Sequence, residues 1–182
     1  MRSILALTIF ALSIFQASAV DQSDPLKVAE AYWNALTESD YAAAAELFDP
    51  KALKGVRELM SIFEDSDNPQ IAAAVPQLFG EGATAEMLAA MSDVEFFEKF
   101  LGTVMGLMGE SVDFEEMKVL GGVDEGKDIR HIVTRMTVKV EELKMGAIEV
   151  VSLRNVDGKW SVMLKGEIEA MAKGLRERFD AL

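Results

Sequence analysis

The stretch His131–Leu164, HIVTRMTVKVEELKMGAIEVVSLRNVDGKWSVML, decides the fold class of this chain. Over Ile132–Val140 every second side chain is apolar or small, and the alternate set, which begins at His131, is more polar. A period of two predicts a half-buried β-strand. Asp157-Gly158 is a strong signal for a two-residue hairpin turn, and Gly146 predicts another hairpin. The stretch therefore predicts an antiparallel sheet in the last third of the chain.

The sequence before this sheet carries helical signals instead, and most of them are N-terminal caps. A capping side chain followed by proline at the first helical position occurs at Asp24-Pro25, Asp49-Pro50 and Asn68-Pro69. Thr84 is a further predicted cap, and Ser92-Asp93-Val94-Glu95 fits a capping box. Helices first and an antiparallel sheet afterwards predict an α+β domain. One face of such a sheet packs on helices while the other stays wetter.

The chain is long enough for one domain with its own core. We expect this domain over residues 20–182, since roughly 160 residues bury a sizeable hydrophobic core. A helical insert is expected over about residues 50–109 and the sheet over about residues 112–165, with a C-terminal helix after it. Gly121-Gly122 and Gly126 predict a turn within the sheet.

The first nineteen residues resemble a secretory signal. Arg2 supplies the positive start, Ile4–Phe15 forms an apolar run, and Ala17-Ser18-Ala19 offers a small-residue cleavage site. The run is shorter than the roughly 20 residues that a membrane span needs. We expect cleavage near Ala19, no transmembrane segment after it, and a periplasmic or secreted protein. An uncleaved N-terminal anchor is the alternative.

Composition restricts the partners and the chemistry. The chain has a formal net charge of −13, and loss of Arg2 with the signal makes it −14. We therefore expect no nucleic acid partner, because so acidic a surface is repelled by phosphates; the acidity also serves solubility. The chain has no Cys and one His, which cannot supply the usual zinc ligands or a thiol nucleophile. No metal and no cofactor are predicted.

Three short segments resemble one known family. Residues 29–36, AEAYWNAL, then Ser39-Asp40-Tyr41, then residues 45–50, AELFDP, are similar to the opening of NTF2-like proteins. This superfamily, also called the cystatin-like cone, includes ketosteroid isomerases and scytalone dehydratases. The hairpin Arg154–Trp160, RNVDGKW, resembles the family's "dGkW" strand pair. The resemblance implies N-terminal helices packed on a curved antiparallel sheet that encloses a concave apolar pocket. The helical insert and the C-terminal helix depart from the small members.

The resemblance supplies one site residue and fails to supply the others. Tyr32 matches the donor tyrosine of ketosteroid isomerases, but their base carboxylate would fall near Gly55 or Val56, where no acid exists. The inward positions of Ile132–Val138 offer no second acid either. No catalytic residue is therefore predicted. Tyr32, otherwise a core residue, and His131, otherwise a surface or edge residue, are the candidate ligand-binding residues.

Three functions follow, in order of preference. The first is an exported binding or accessory module without catalysis, which uses a small apolar pocket or a protein-contact surface. The second is an acid/base enzyme, isomerase- or dehydratase-like, acting on a small apolar substrate; it requires Tyr32 and His131 to share a pocket. The third is a structural homodimer through the outer face of the sheet, where Val133 and Thr137 offer a weak apolar patch.

Overall fold

The computed structural model describes residues 20–64, 67–107, 112–140 and 142–180. The predicted signal segment, residues 1–19, lies outside these ranges. The helices are α1 (Pro25–Thr37), α2 (Tyr41–Glu46), α3 (Pro50–Met60), α4 (Pro69–Phe79), α5 (Ala85–Ala90), α6 (Asp93–Leu107) and α7 (Gly166–Asp180), with a 3-10 turn at Ser61–Glu64. The strands are β1 (Val112–Glu125), β2 (Ile129–Val140), β3 (Leu143–Val156) and β4 (Lys159–Val162).

The helices begin where the caps predict. The capping side chains at Asp24, Asp49, Asn68 and Thr84 each accept a backbone N–H of the first helical turn, which confirms these predictions. The capping box before α6 is also confirmed. The Ser92 N–H donates to Glu95 Oε2 at 2.8 Å, and the Glu95 N–H donates to Ser92 Oγ at 3.3 Å. Each cap satisfies N–H groups that a helix start leaves unpaired.

The four strands form one antiparallel sheet in the order β1-β2-β3-β4. The Asp157-Gly158 turn between β3 and β4 is confirmed, and both of its residues have positive φ, as the tight hairpin turn requires. The hairpin predicted at Gly146 is wrong, because Gly146 lies inside β3 opposite Thr137, and β2 connects to β3 directly after Val140.

Gly121-Gly122 also lie inside a strand rather than in the predicted turn, and only Gly126 belongs to the turn between β1 and β2. The register of β1 against β2 shifts between Val119 and Gly121, which marks a β-bulge. Gly122 lies close to a neighbouring side chain, since a Cβ at this position would lie 2.9 Å from Arg130 Nε. Gly122 therefore serves packing within the sheet, whereas a Cβ at Gly121 would meet no atom within 4 Å.

The helices cover one face of the sheet, here called the inner face, which carries Ile132, Thr134 and Met136 of β2. Aromatic rings fill the layer above it, with Phe48 and Phe97 centroids 4.7 Å apart. The C-terminal helix joins this layer through Phe179, whose ring lies 5.0 Å from that of Phe63. The predicted α+β class, helices packed on an antiparallel sheet, is confirmed, and the arrangement is consistent with an NTF2-like cone.

Candidate functional site

The face of the sheet opposite the helices is here called the open face. On β2 it carries the side chains that alternate with those of the inner face. His131, Val133 and Thr137 are half-buried there and Arg135 is exposed, whereas their neighbours Ile132, Thr134 and Met136 are buried. This alternation was predicted from the sequence and is confirmed. β2 lies between β1 and β3, so His131 occupies an interior strand rather than an edge strand.

His131 lies at the centre of a hydrogen-bonded chain of three side chains. Its Nδ1 is 2.8 Å from Ser152 Oγ, and its Nε2 is 2.7 Å from Glu125 Oε2. Ser152 lies directly opposite His131 on β3, and Glu125 is the last residue of β1. A carboxylate only accepts hydrogen bonds, so a neutral His131 carries its proton on Nε2 and accepts the Ser152 hydroxyl proton at Nδ1. This tautomer is inferred from the bonding pattern.

The order carboxylate, imidazole, hydroxyl is the order that activates a serine nucleophile. The surroundings differ from those of known nucleophilic serines, because Ser152 lies within a strand and not on a sharp turn between strand and helix. The His131 side chain is also 30% exposed and the Glu125 side chain 68% exposed, so water screens the pair. The chain of bonds can move a proton, but no described feature positions a substrate carbonyl against it.

A groove of about 580 Å³ opens beside this chain, at the point where the polypeptide leaves β4 and separates from β3. The Met163 N–H donates to the Ser152 carbonyl at 2.8 Å, which is the last backbone contact before the separation. Lys165 Nζ then bridges the gap to Glu149 Oε2 at 2.5 Å. The groove is lined by Glu125, Ile129, His131, Ile148, Glu149, Val150, Ser152, Met163, Leu164, Lys165 and Gly166.

Tyr32 lies on the other side of the sheet. It is 5% exposed in α1, and its ring packs against Phe48 at 5.5 Å and Trp33 at 5.8 Å. Burial raises the pKa of the Tyr32 phenol, and the Glu149 carboxylate raises it further. The two predicted ligand-binding residues are therefore not brought together: Tyr32 faces the core, and His131 faces the open side.

The open face also carries an apolar patch that the sequence analysis underestimated. Val123, Ile148 and Val150 are 60%, 55% and 42% exposed, and half-buried Val133 lies directly opposite Val150. These four residues are here called the apolar patch. The signal that could have found it is the alternation along β3, where the even-numbered residues from Ile148 share a face with His131. Adjacent exposed apolar side chains are typical of contact surfaces.

A second groove, of about 390 Å³, lies between the start of α3, the β3–β4 hairpin and α7. Its central pair is Arg154 Nη1 and Asp49 Oδ2, 3.1 Å apart. Asp49 is buried, caps α3 through the Lys51 N–H, and donates its own N–H to the Val162 carbonyl. These bonds satisfy the polar groups of Arg154 and Asp49, and they hold the helical layer on β4. We therefore assign this pair to the fold rather than to a ligand.

The described residues show no cluster of three or more His, Asp or Glu side chains that could hold a metal ion. Within the same ranges, no helix combines the length and apolarity of a membrane span.

Comparison with known proteins gives little further information. No protein-family model matches the chain. None of the curated proteins matches it in sequence. Two solved structures are similar in outline. A SEC-C motif containing protein from Rhodopseudomonas palustris shows 14% identity and a TM-score of 0.46, over 79% of this chain and 77% of that chain. An LEH-like epoxide hydrolase from M. tuberculosis shows 12% identity and a TM-score of 0.38, over 86% and 92%. Both TM-scores are below 0.5, so no functional argument rests on either likeness.

Proposed function

We propose that this protein is an exported binding module, without catalysis, that holds a partner protein on the open face of its sheet. The observation that carries the proposal is the apolar patch. Ile148 and Val150 are exposed on the same face of β3, and Val133 of β2 lies opposite Val150. Val123 of β1 lies opposite His131 and is therefore diagonal to Val133. A soluble domain gains nothing in folding from apolar side chains left in water. Their adjacency is therefore best explained by a partner that removes them from water.

Among the described residues, the inner face is filled by packed side chains. Tyr32, Phe48 and Phe97 fill the layer between α1, α2, α6 and the sheet with ring-to-ring contacts. The grooves on the surface of the described residues are open and partly polar, which suits a small apolar molecule poorly. Of the two surfaces predicted for a binding module, a pocket and a protein-contact face, the packing favours the second.

Export is part of the same proposal. The charged start, the apolar run and the small residues before Val20 support cleavage near Ala19 and a periplasmic or secreted location. We expect the intact mass of the protein purified from its own host to match a chain that begins at Val20. A Leu7→Arg variant, which places a charge in the apolar run, should accumulate uncleaved. A mature protein that retains Met1 at full length would contradict cleavage.

Site-specific photo-crosslinking tests the contact surface. A photoreactive residue replaces Val150 on the open face or, as the matched control, Met87, which is 50% exposed on α5. Irradiation in the producing organism should give a discrete polypeptide adduct at position 150 and none at 87. Mass spectrometry identifies the second chain, and an adduct of twice the protein's own mass assigns the partner as a second copy. Ile148→Lys should abolish the adduct, because a buried lysine is costly at an apolar contact.

The hydrogen-bonded chain of Glu125, His131 and Ser152 favours one second candidate, an acid/base enzyme that acts on a small substrate in the groove beside β3. A fluorophosphonate probe tests the form of this candidate in which His131 activates the Ser152 hydroxyl as a nucleophile. An enzyme with an activated hydroxyl should label stoichiometrically at Ser152 and lose the label in His131→Gln. A binding module should show no label at Ser152 in either protein.

A further inference from the structure

The open face carries a group of cations next to the apolar patch. Lys118 of β1 and Arg135 of β2 are exposed and lie directly opposite each other, and Lys139 of β2 lies directly opposite Lys144 of β3. These four residues are here called the basic strip. The row of Lys118 and Arg135 continues into Ile148, so the strip and the apolar patch are contiguous.

The arrangement of the basic strip is unfavourable for the isolated protein. Like charges directly opposite on neighbouring strands destabilise a sheet, and the strip contains two such pairs. Within the described residues, Lys118, Arg135 and Lys139 form no ion pair, whereas Lys144 Nζ lies 2.6 Å from Glu115 Oε2. Glu116, opposite Thr137, and Asp113, opposite Lys139, are the other acids beside the strip. Four cations and three acids leave this surface with one net positive charge, on a protein whose formal net charge is −13.

We propose that the basic strip binds an acidic polypeptide segment of the partner, with the partner's carboxylates on the strip and its apolar side chains on the apolar patch. This inference rests on the proposed function, because it names the chemistry of the protein held by the same open face. Carboxylates from the partner relieve the repulsion between Lys118 and Arg135, and they add to the acids already beside Lys139 and Lys144. Electrostatic complementarity of this kind sets specificity and association rate.

The dimensions of the strip favour a polypeptide over larger polyanions. The strip spans three neighbouring strands, which is about 10 Å across. A polypeptide segment of this width stays within the local excess of cations, where, within the described ranges, Lys118 and Arg135 form no ion pair. A lipid bilayer or a nucleic acid duplex would extend beyond the strip over a protein of formal net charge −13 and would be repelled there. The four exposed or half-buried side chains also form no enclosed cradle for a free phosphate.

Binding of a short fluorescent poly-L-glutamate peptide at low ionic strength tests the inference. The strip variant is Lys118→Gln/Arg135→Gln. The matched control, Lys54→Gln/Lys173→Gln, removes two cations that are 70% and 67% exposed on α3 and α7. We expect wild type and control to bind with equal Kd, and the strip variant to bind about tenfold more weakly. Added salt should weaken binding, because the Debye length falls to about 10 Å at 0.1 M.

Several results would overturn the inference. These are absence of poly-L-glutamate binding, an equal loss in the control and strip variants, competition by inorganic phosphate at millimolar concentration, and preferential binding to phosphatidylglycerol vesicles. Photo-crosslinking at position 150 distinguishes failure of this inference from failure of the proposed function. If the polypeptide adduct at 150 persists while poly-L-glutamate does not bind, the open face still contacts a protein, and only its acidic character is refuted. Loss of both refutes the proposed function itself.

Discussion

The phenol of Tyr32 couples the stability of the protein to alkaline pH. Burial, and secondly the Glu149 carboxylate, raise its pKa above the ordinary value of about 10. The unfolded chain releases this proton as the pH rises past about 10, while the folded chain keeps it. The resulting stabilisation is complete below that pH and is lost as the pH rises through the folded pKa. In guanidinium unfolding between about pH 9 and pH 11, Tyr32→Phe should therefore lose less stability than wild type.

The same variant measured at pH 7 is the control. Within the described part of the chain the Tyr32 hydroxyl has no hydrogen-bond partner, so its removal should change the free energy of unfolding by less than about 0.5 kcal/mol. A loss above about 1 kcal/mol would show that the hydroxyl is bonded in solution. Equal pH dependence in the two proteins would contradict the dry environment that the ring packing of Phe48 and Trp33 implies.

At the scale of elements, one arginine joins α3 to the end of α5. Arg57 donates through Nη2 to the carbonyls of Leu88 and Ala89 at 3.0 and 3.1 Å, and through Nη1 to the Met91 carbonyl. These carbonyls end α5, where a cation also interacts favourably with the helix dipole. Its Nε lies 3.0 Å from Glu64 Oε1, and its side chain is only 17% exposed. A single guanidinium thus binds several backbone carbonyls that have no N–H partner within the helix.

We expect Arg57→Lys to lower the free energy of unfolding by about 2 kcal/mol, because an ammonium group cannot reproduce the planar fork that reaches these carbonyls. The control is Lys54→Gln one turn earlier, where the side chain is 70% exposed and the expected loss is below about 0.5 kcal/mol. Chemical denaturation of both variants measures the difference. Equal losses would show that the Arg57 bonds contribute no more than a surface ion pair.

The elements also show which features the sequence could predict. The helix starts at Asp49 and Ser92 were predictable because a cap and its helix are local in sequence. The partners of His131 were not, because strand register depends on where the turn falls. A turn centred on Gly146 would bring a residue well beyond Ser152 opposite His131. Glycine signals conformational freedom, and the sequence does not say whether that freedom serves a turn, a bulge or a close approach.

At the scale of the whole molecule, the sheet has one face that packs on the helices and another that the described residues leave open. Two neighbouring residues of β3 show the difference between the faces. Val150 is 42% exposed on the open face, and Val151 is 1% exposed on the inner face. The exposed position was missed because the apolar run Val150-Val151 reads as core from sequence alone. Periodicity assigns the two residues to opposite faces, but which face the helices cover is decided by the packing of the whole chain.

This division makes Val150→Thr and Val151→Thr a matched pair. Both variants keep a β-branched side chain of the same size, so strand propensity is preserved. Val151→Thr places a hydroxyl in the core and should cost about 2 kcal/mol in guanidinium unfolding, whereas Val150→Thr should change stability by less than about 0.5 kcal/mol. A similar loss at both positions would mean that the open face is already covered in the purified protein. In that case a second copy is the occupant, and the loss at Val150 should vanish on dilution as the dimer dissociates.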